Sequence, residues 1–143
     1  MTRFYAIDEA NAAIPDVERI LVALRDQRED LITFRDRAIG LTPEEGEAPA
    51  EAAEELRRIR LRMQGLIDQM QAGVARLIEM DITLRDIQSG LIDFPALLSG
   101  RPIWLCWRLG ESEVRHWHGH DEGFSSRRPL DELPAGRSSG SPA

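Results

Sequence analysis

The sequence predicts an α+β protein in which a long antiparallel two-helix hairpin is followed by a small antiparallel β-meander. In the first 80 residues, apolar residues recur at alternating steps of three and four, the spacing typical of helices. After residue 80 the pattern changes to short β-rich runs separated by glycines. At 143 residues the chain has the length of one domain. The predicted parts are one domain over 1–130, made of a hairpin at 7–80 and a meander at 81–120, and a flexible Pro-, Gly- and Ser-rich tail at 131–143.

The first helix is predicted from a heptad seam that two arginines interrupt. Its members are Ile14, Val17, Leu21, Leu24, Arg28, Leu31, Arg35 and Ala38. We expect Pro15 in the first turn of this helix, where its missing N–H costs nothing. Residues 7–13 would then form a short lead-in turn.

The second helix follows a loop at 40–49 that is rich in proline, glycine and acids. Its seam is unbroken and consists of Ala52, Leu56, Ile59, Met63, Leu66, Met70, Gly73, Leu77 and Met80. A helix of about 25–30 residues is about 37–45 Å long, whereas a seven-residue strand covers about 23 Å. One small sheet cannot cover both apolar stripes, so we expect a homo-oligomer, most simply a two-fold dimer. The alternative is a monomer in which the helices bury each other.

The last two strands of the meander can be placed in register about Gly110, which suits a two-residue type II′ turn. That register pairs Cys106 with Arg115 and Trp104 with Trp117. It places His118 on the face opposite to Cys106. Both faces are then partly apolar, which indicates that each face is covered.

Composition excludes several classes of protein. No apolar run approaches the ~20 residues that a membrane span needs. The net charge of −7 disfavours a general nucleic-acid binder. The absence of a secretory signal and the single cysteine favour a cytoplasmic protein. No Ser/His/Asp order, P-loop, dinucleotide glycine pattern or Cys-x-x-Cys is present, so the sequence assigns no reaction.

All three histidines lie within five residues, at His116, His118 and His120. On a strand these positions share a face, and imidazoles in this arrangement can bind a divalent metal ion. The alternative is that the histidines are hydrogen-bonded beside a tryptophan or lie at a solvated strand end. The carboxylates that could complete a metal site are Asp93, Glu111, Asp121 and Glu122.

Two further residues of the meander allow two interpretations each. Cys106 opposite Arg115 would be a reactive thiol, but between two tryptophans it would be a buried apolar residue. Asp93 stands between Ile92 and Phe94 and must point away from them. It either faces the histidines and neighbouring arginines or is an acid capped by a backbone N–H.

Several motifs together are similar to one family of proteins. An aromatic residue precedes Asp-Glu-Ala-Asn in Tyr5–Asn11, and Gly-Leu-Ile-Asp-Phe-Pro occupies Gly90–Pro95. Further matches are Leu105-Cys106-Trp107, Gly110-Glu111, Trp117-His118, Gly123-Phe124 and Arg127 or Arg128. From residue 4 to about 130, the chain resembles a bacterial family known as domain of unknown function 2203.

The resemblance implies a helical hairpin but no known activity. It narrows the candidate ligand-binding residues to Asp93, Arg101, Glu111, His118 and Arg127. His116 and His120 are not part of the family's pattern, so a metal site would use Asp93, Glu111 and His118. Where the family has Ser or Thr at the helix start, this chain has Ala6, so the cap is lost or moves to Asp8.

Two functions remain from the sequence. The first is a homo-oligomeric binding or assembly module without catalysis. The alternative is a divalent-metal- or anion-binding protein, or an enzyme, that uses Asp93, Glu111 and His118. A carboxylate–imidazole pair could act as general base and acid near neutral pH.

Overall fold

The computed structural model describes residues 3–132 and places two long helices ahead of one five-stranded antiparallel sheet. The strands are hydrogen-bonded to one another in the order of the sequence. The predicted α+β class, with a hairpin followed by a meander, is confirmed. The elements are α1 (Ile7–Leu41), α2 (Ala50–Glu79), β1 (Thr83–Asp86), β2 (Leu91–Leu98), β3 (Arg101–Arg108), β4 (His116–Gly119) and β5 (Arg128–Pro129), with 3-10 turns at Phe124–Ser126 and Leu130–Glu132. Apart from residues 131 and 132, the predicted tail lies outside the described residues.

Helix α1 begins earlier than expected and continues through Pro15. The prediction of a separate turn at 7–13 is therefore wrong. Ala10, Ile14 and Val17 are buried on this stretch, and their burial offsets the one backbone hydrogen bond that Pro15 cannot donate.

The N-terminus of α1 lacks a side-chain cap at Ala6. Glu9 Oε1 instead accepts the N–H of Ala6 at 2.8 Å, and Asp8 Oδ1 accepts the N–H of Glu9 at 3.0 Å. The carboxylates of Asp8 and Glu9 take the capping role of the Ser or Thr hydroxyl that Ala6 lacks, and their negative charge is favourable at the positive end of the helix.

The two helices pack along the predicted seams. Gly73 lies so close to Leu24 that a Cβ atom on it would be 3.2 Å from Leu24 Cδ2, which explains a glycine at this seam position. Buried seam residues include Leu21, Leu56 and Ile59. Neither described helix has an apolar stretch that could cross a membrane.

One face of the sheet packs on the half of the hairpin nearest to it. The side chains that this face buries alternate along two strands: Ile92, Phe94 and Ala96 on β2, and Ile103, Leu105 and Trp107 on β3. Tyr5 joins the segment before α1 to the sheet and to the end of α2 through two hydrogen bonds. Its N–H donates to Pro95 O at 2.7 Å, and its hydroxyl donates to Met80 O at 2.6 Å.

The register predicted about Gly110 is wrong by one residue. Cys106 pairs with His116, and Trp104 pairs with His118. Gly110 has a positive φ of 106°, as expected, but it lies in a loop longer than the two-residue turn. The N–H of Val114 donates to Asn11 Oδ1 of α1 at 2.7 Å instead of continuing the ladder. This one-residue shift moves His118 to the face that carries Cys106.

Candidate functional site

The sheet face opposite the hairpin brings three ligand-type side chains together. Asp93 on β2 pairs with Cys106 on β3, and His118 reaches them from β4. Their exposed fractions are only 1%, 1% and 2%. A carboxylate oxygen, the thiol sulfur and an imidazole nitrogen all lie within 4.8 Å of one another.

The two carboxylate oxygens of Asp93 have different surroundings. Oδ2 accepts a hydrogen bond from Arg85 Nε at 2.8 Å and lies 2.9 Å from His118 Nε2. Oδ1 is buried and has no hydrogen-bond partner within the described part of the chain. Buried polar atoms nearly always have a partner, so Oδ1 marks a place where a further donor or cation would fit.

The hydrogen bonds of His118 fix its tautomer. Nδ1 lies 3.0 Å from the carbonyl oxygen of Gly119, which can only accept, so Nδ1 carries a hydrogen. In the neutral ring, Nε2 then has a free lone pair directed at Asp93. One proton shared between Nε2 and Oδ2 would join the two groups, and a metal ion could take its place.

Cys106 is a protonated, unreactive thiol in this setting. Burial raises the pKa of Cys106 to about 12, and the charge of Asp93 acts in the same direction. The reactive-thiol interpretation depended on Arg115 and is wrong, because Arg115 pairs with Glu113 and His116 lies opposite Cys106. A bound dication would reverse the protonation, since a coordinating thiol is deprotonated outright.

A cleft of about 250 Å³ opens in front of these three side chains. The other residues that line it are Arg85, Leu91, Glu122, Gly123 and Phe124. Glu122 closes one side, because it accepts the N–H of Gly119 and a hydrogen bond from Arg128, each at 2.8 Å. These two donors hold the pKa of Glu122 below its usual range.

Glu111 and Arg127 form a separate ion pair. Arg127 Nη2 lies 3.0 Å from both carboxylate oxygens of Glu111. Glu111 Oε1 also accepts the N–H of Arg108 at 2.7 Å. This pair ties the β3–β4 loop to the segment before β5, and its charges act on the nearby Cys106 thiol.

Arg101 does not join the site. It lies exposed at the start of β3, and the five residue steps from Arg101 to Cys106 span about 16 Å of strand. Of the five residues predicted for ligand binding, the structure therefore brings Asp93 and His118 into contact, pairs Glu111 with Arg127, and leaves Arg101 apart.

Two residues of the site were missing from the predicted ligand set. The alternation of β3 already placed Cys106 beside Trp104 and Arg108, on the face away from Leu105, so a signal for it existed. Arg85 lies where the β1–β2 pairing is irregular, and nothing in the sequence indicates its contact with Asp93.

The family model described as an uncharacterized conserved protein, domain of unknown function 2203, matches residues 3–130. The chain belongs to this family. All residues of the site lie within the range that the domain of unknown function 2203 covers. No curated protein and no solved structure matches the chain.

Proposed function

We propose that this protein binds a divalent transition metal ion of the zinc class through Asp93, Cys106 and His118. The observation that carries the proposal is the meeting of three buried ligand atoms, an oxygen, a sulfur and a nitrogen, within 4.8 Å. Zinc binds these three atom types in proteins. The buried, unpartnered Asp93 Oδ1 supports a missing cation at this point.

The surrounding hydrogen bonds match those expected around a metal. Histidine ligands usually donate their other N–H to a carbonyl or carboxylate, as His118 does to Gly119 O. Arg85 likewise orients the carboxylate of Asp93. Zinc–ligand bonds of about 2.0–2.3 Å place neighbouring ligand atoms roughly 3.3–3.8 Å apart, so shifts of about 1 Å would complete the geometry. The cleft leaves a fourth position open.

In this proposal Cys106 takes the place that the sequence assigned to Glu111. Both oxygens of Glu111 are bonded to Arg127. Using Glu111 as a ligand would break that ion pair, whereas Cys106 has only a thiol proton to lose.

Elemental analysis of the protein purified without chelator tests the proposal. We expect about one metal ion per chain, as a single three-ligand site requires, and its loss in Cys106→Ala and His118→Ala. His120→Ala is the matched control, because His120 is exposed and stacks on Trp104. Added zinc should also stabilise the wild type, by about 2.7 kcal/mol at a hundred times the Kd.

The opposite result would be equally clear. If the wild type holds no metal and gains no stability from zinc, the three side chains form only a buried polar contact that stabilises the sheet.

A second function, self-association, is favoured by the far half of the hairpin. No described residue of α1 beyond Leu24 is fully buried, although the helix continues to Leu41. Ile39 and Leu61 have exposed fractions of 65% and 71%. We infer that this half packs against a second copy of the chain, since closed two-fold dimers are the commonest assemblies.

Light scattering coupled to size exclusion tests the dimer. We expect the mass of two chains for the wild type and of one chain for Leu61→Asp, with Gln64→Glu on the same exposed stretch of α2 as the control. A wild type with the mass of one 16.1 kDa chain would exclude the dimer.

A further inference from the structure

We propose that the cleft in front of the metal site binds a small carboxylate anion, with one oxygen on the metal and the other on Arg85. The inference rests on the proposed metal-binding function. It assigns the class of ligand for the open coordination position.

The guanidinium of Arg85 is oriented so that it can bind an anion. Its Nε donates to Asp93 Oδ2 at 2.8 Å, and its guanidinium carbon lies 5.0 Å from the centroid of the Trp104 ring. These two contacts fix the plane of the guanidinium. Among the residues that the structure describes, no acceptor receives a hydrogen bond from either terminal nitrogen. A guanidinium with two free N–H₂ groups matches the paired oxygens of a carboxylate.

The position of Arg85 suits a bridging ligand. Its Nε and His118 Nε2 both contact the same oxygen, Asp93 Oδ2, so the guanidinium borders the metal ligands directly. Arg85 is 40% exposed, whereas Asp93 and His118 are buried. A ligand entering from solvent would therefore meet Arg85 and the open metal position together.

The charges favour a monoanion. A dication and Arg85 contribute three positive charges, and Asp93 with a metal-bound Cys106 thiolate contributes two negative ones. Glu122 also lines the cleft, but Arg128 neutralises it at 2.8 Å. One positive charge is left over, which one carboxylate would balance.

The size and lining of the cleft limit the rest of the ligand. A volume of about 250 Å³ equals roughly eight water molecules at about 30 Å³ each. Leu91 and Phe124 supply apolar surface on the walls. A carboxylate with a short apolar body fits this space.

Cobalt-substituted full-length protein provides the test. Cobalt alone should produce a thiolate-to-metal charge-transfer band, which reports the metal site. Phenylacetate should then change the visible spectrum saturably and bind more tightly than inorganic phosphate. Arg85→Gln is compared at cobalt concentrations that saturate its charge-transfer band, and phenylacetate should then bind about tenfold to a hundredfold more weakly than to the wild type, the loss expected for a charged hydrogen bond. Arg101→Gln, on the same sheet but distant, should bind as the wild type does.

A second variant keeps the test independent of Arg85. Phe124→Ala should weaken phenylacetate severalfold by removing apolar contact and leave acetate unchanged. Three results would overturn the carboxylate assignment and leave the metal site intact. They are a cobalt spectrum that phenylacetate does not change, equal binding of phenylacetate by Arg85→Gln and the wild type, and tighter binding of phosphate than of phenylacetate. Absence of the charge-transfer band in the wild type would overturn the metal site itself, and the inference with it.

Discussion

Asp93 on β2 and His118 on β4 meet at 2.9 Å although strand β3 runs between them. Two strand spacings amount to about 9.6 Å, so the two side chains must reach toward each other over β3. The residue of β3 paired with Asp93 is Cys106, whose side chain is small. A larger side chain at this position would separate Asp93 from His118.

Removal of Asp93 should destabilise the metal-free protein. Asp93→Ala removes the buried carboxylate that would share a proton with His118 Nε2 and that accepts a hydrogen bond from Arg85 Nε, and leaving a buried polar group unsatisfied costs about 1–3 kcal/mol. Urea denaturation should show this loss. Asp121→Ala is the control, because Asp121 is exposed and such changes stay within about 0.5 kcal/mol. Equal stability of Asp93→Ala and the wild type would refute the role given to the contact.

The Cys106 thiol should resist alkylation in the folded, metal-free protein. Its pKa is raised to about 12, so at pH 8 only about one thiol in ten thousand is ionised, and the thiolate is the nucleophile. Unfolding in urea returns the pKa to about 8.5, and reaction with iodoacetamide should then be rapid. Mass spectrometry distinguishes the two states. Rapid labelling of the folded protein would contradict the burial of Cys106.

Gly90 should not tolerate a side chain. It has a φ of +68°, and a Cβ atom there would lie 2.5 Å from Leu109 Cβ. Gly90→Ala should cost at least about 2 kcal/mol, from the left-handed backbone and the clash together. Gly65→Ala, in an open position of α2, should instead stabilise by up to about 1 kcal/mol. Chemical denaturation of both variants measures the contrast, and similar effects of the two changes would contradict it.

The contact of Glu122 with Gly119 should survive mild acid. The pKa of Glu122 is lowered from 4.5 by the Gly119 N–H and then by Arg128. Its contribution to stability is therefore full above the unfolded value and is lost as the pH falls through the lower folded value. The amide resonance of Gly119 should titrate with a midpoint below 4.5, and Glu122→Gln should abolish that titration. A midpoint at or above 4.5 in the wild type would contradict the contact.

The helical hairpin and the orientation of Asp93 could be predicted because both follow from local periodicity. The seam through Leu56 and Ile59 needs only a step of three or four residues. Asp93 stands between two apolar neighbours on a strand, so alternation alone directs it away from the core. Long-range contacts were not required for either prediction.

The register of β4 could not be predicted because a distant contact sets it. Val114 donates to Asn11, 103 positions earlier in the chain, and the loop after Gly110 lengthens to reach it. The residues around Gly110 do not indicate that Asn11 is the partner. Because the register was missed by one residue, His118 was assigned to the wrong face and Cys106 was left out of the metal ligands.

Anomalous diffraction at the zinc edge, from crystals grown with zinc, tests the central claim most directly. We expect a peak between Asp93, Cys106 and His118, with the sulfur about 2.3 Å and the nitrogen about 2.0–2.1 Å from the metal. No anomalous density there, with Asp93 and His118 still hydrogen-bonded to each other, would show that the three residues do not bind a metal.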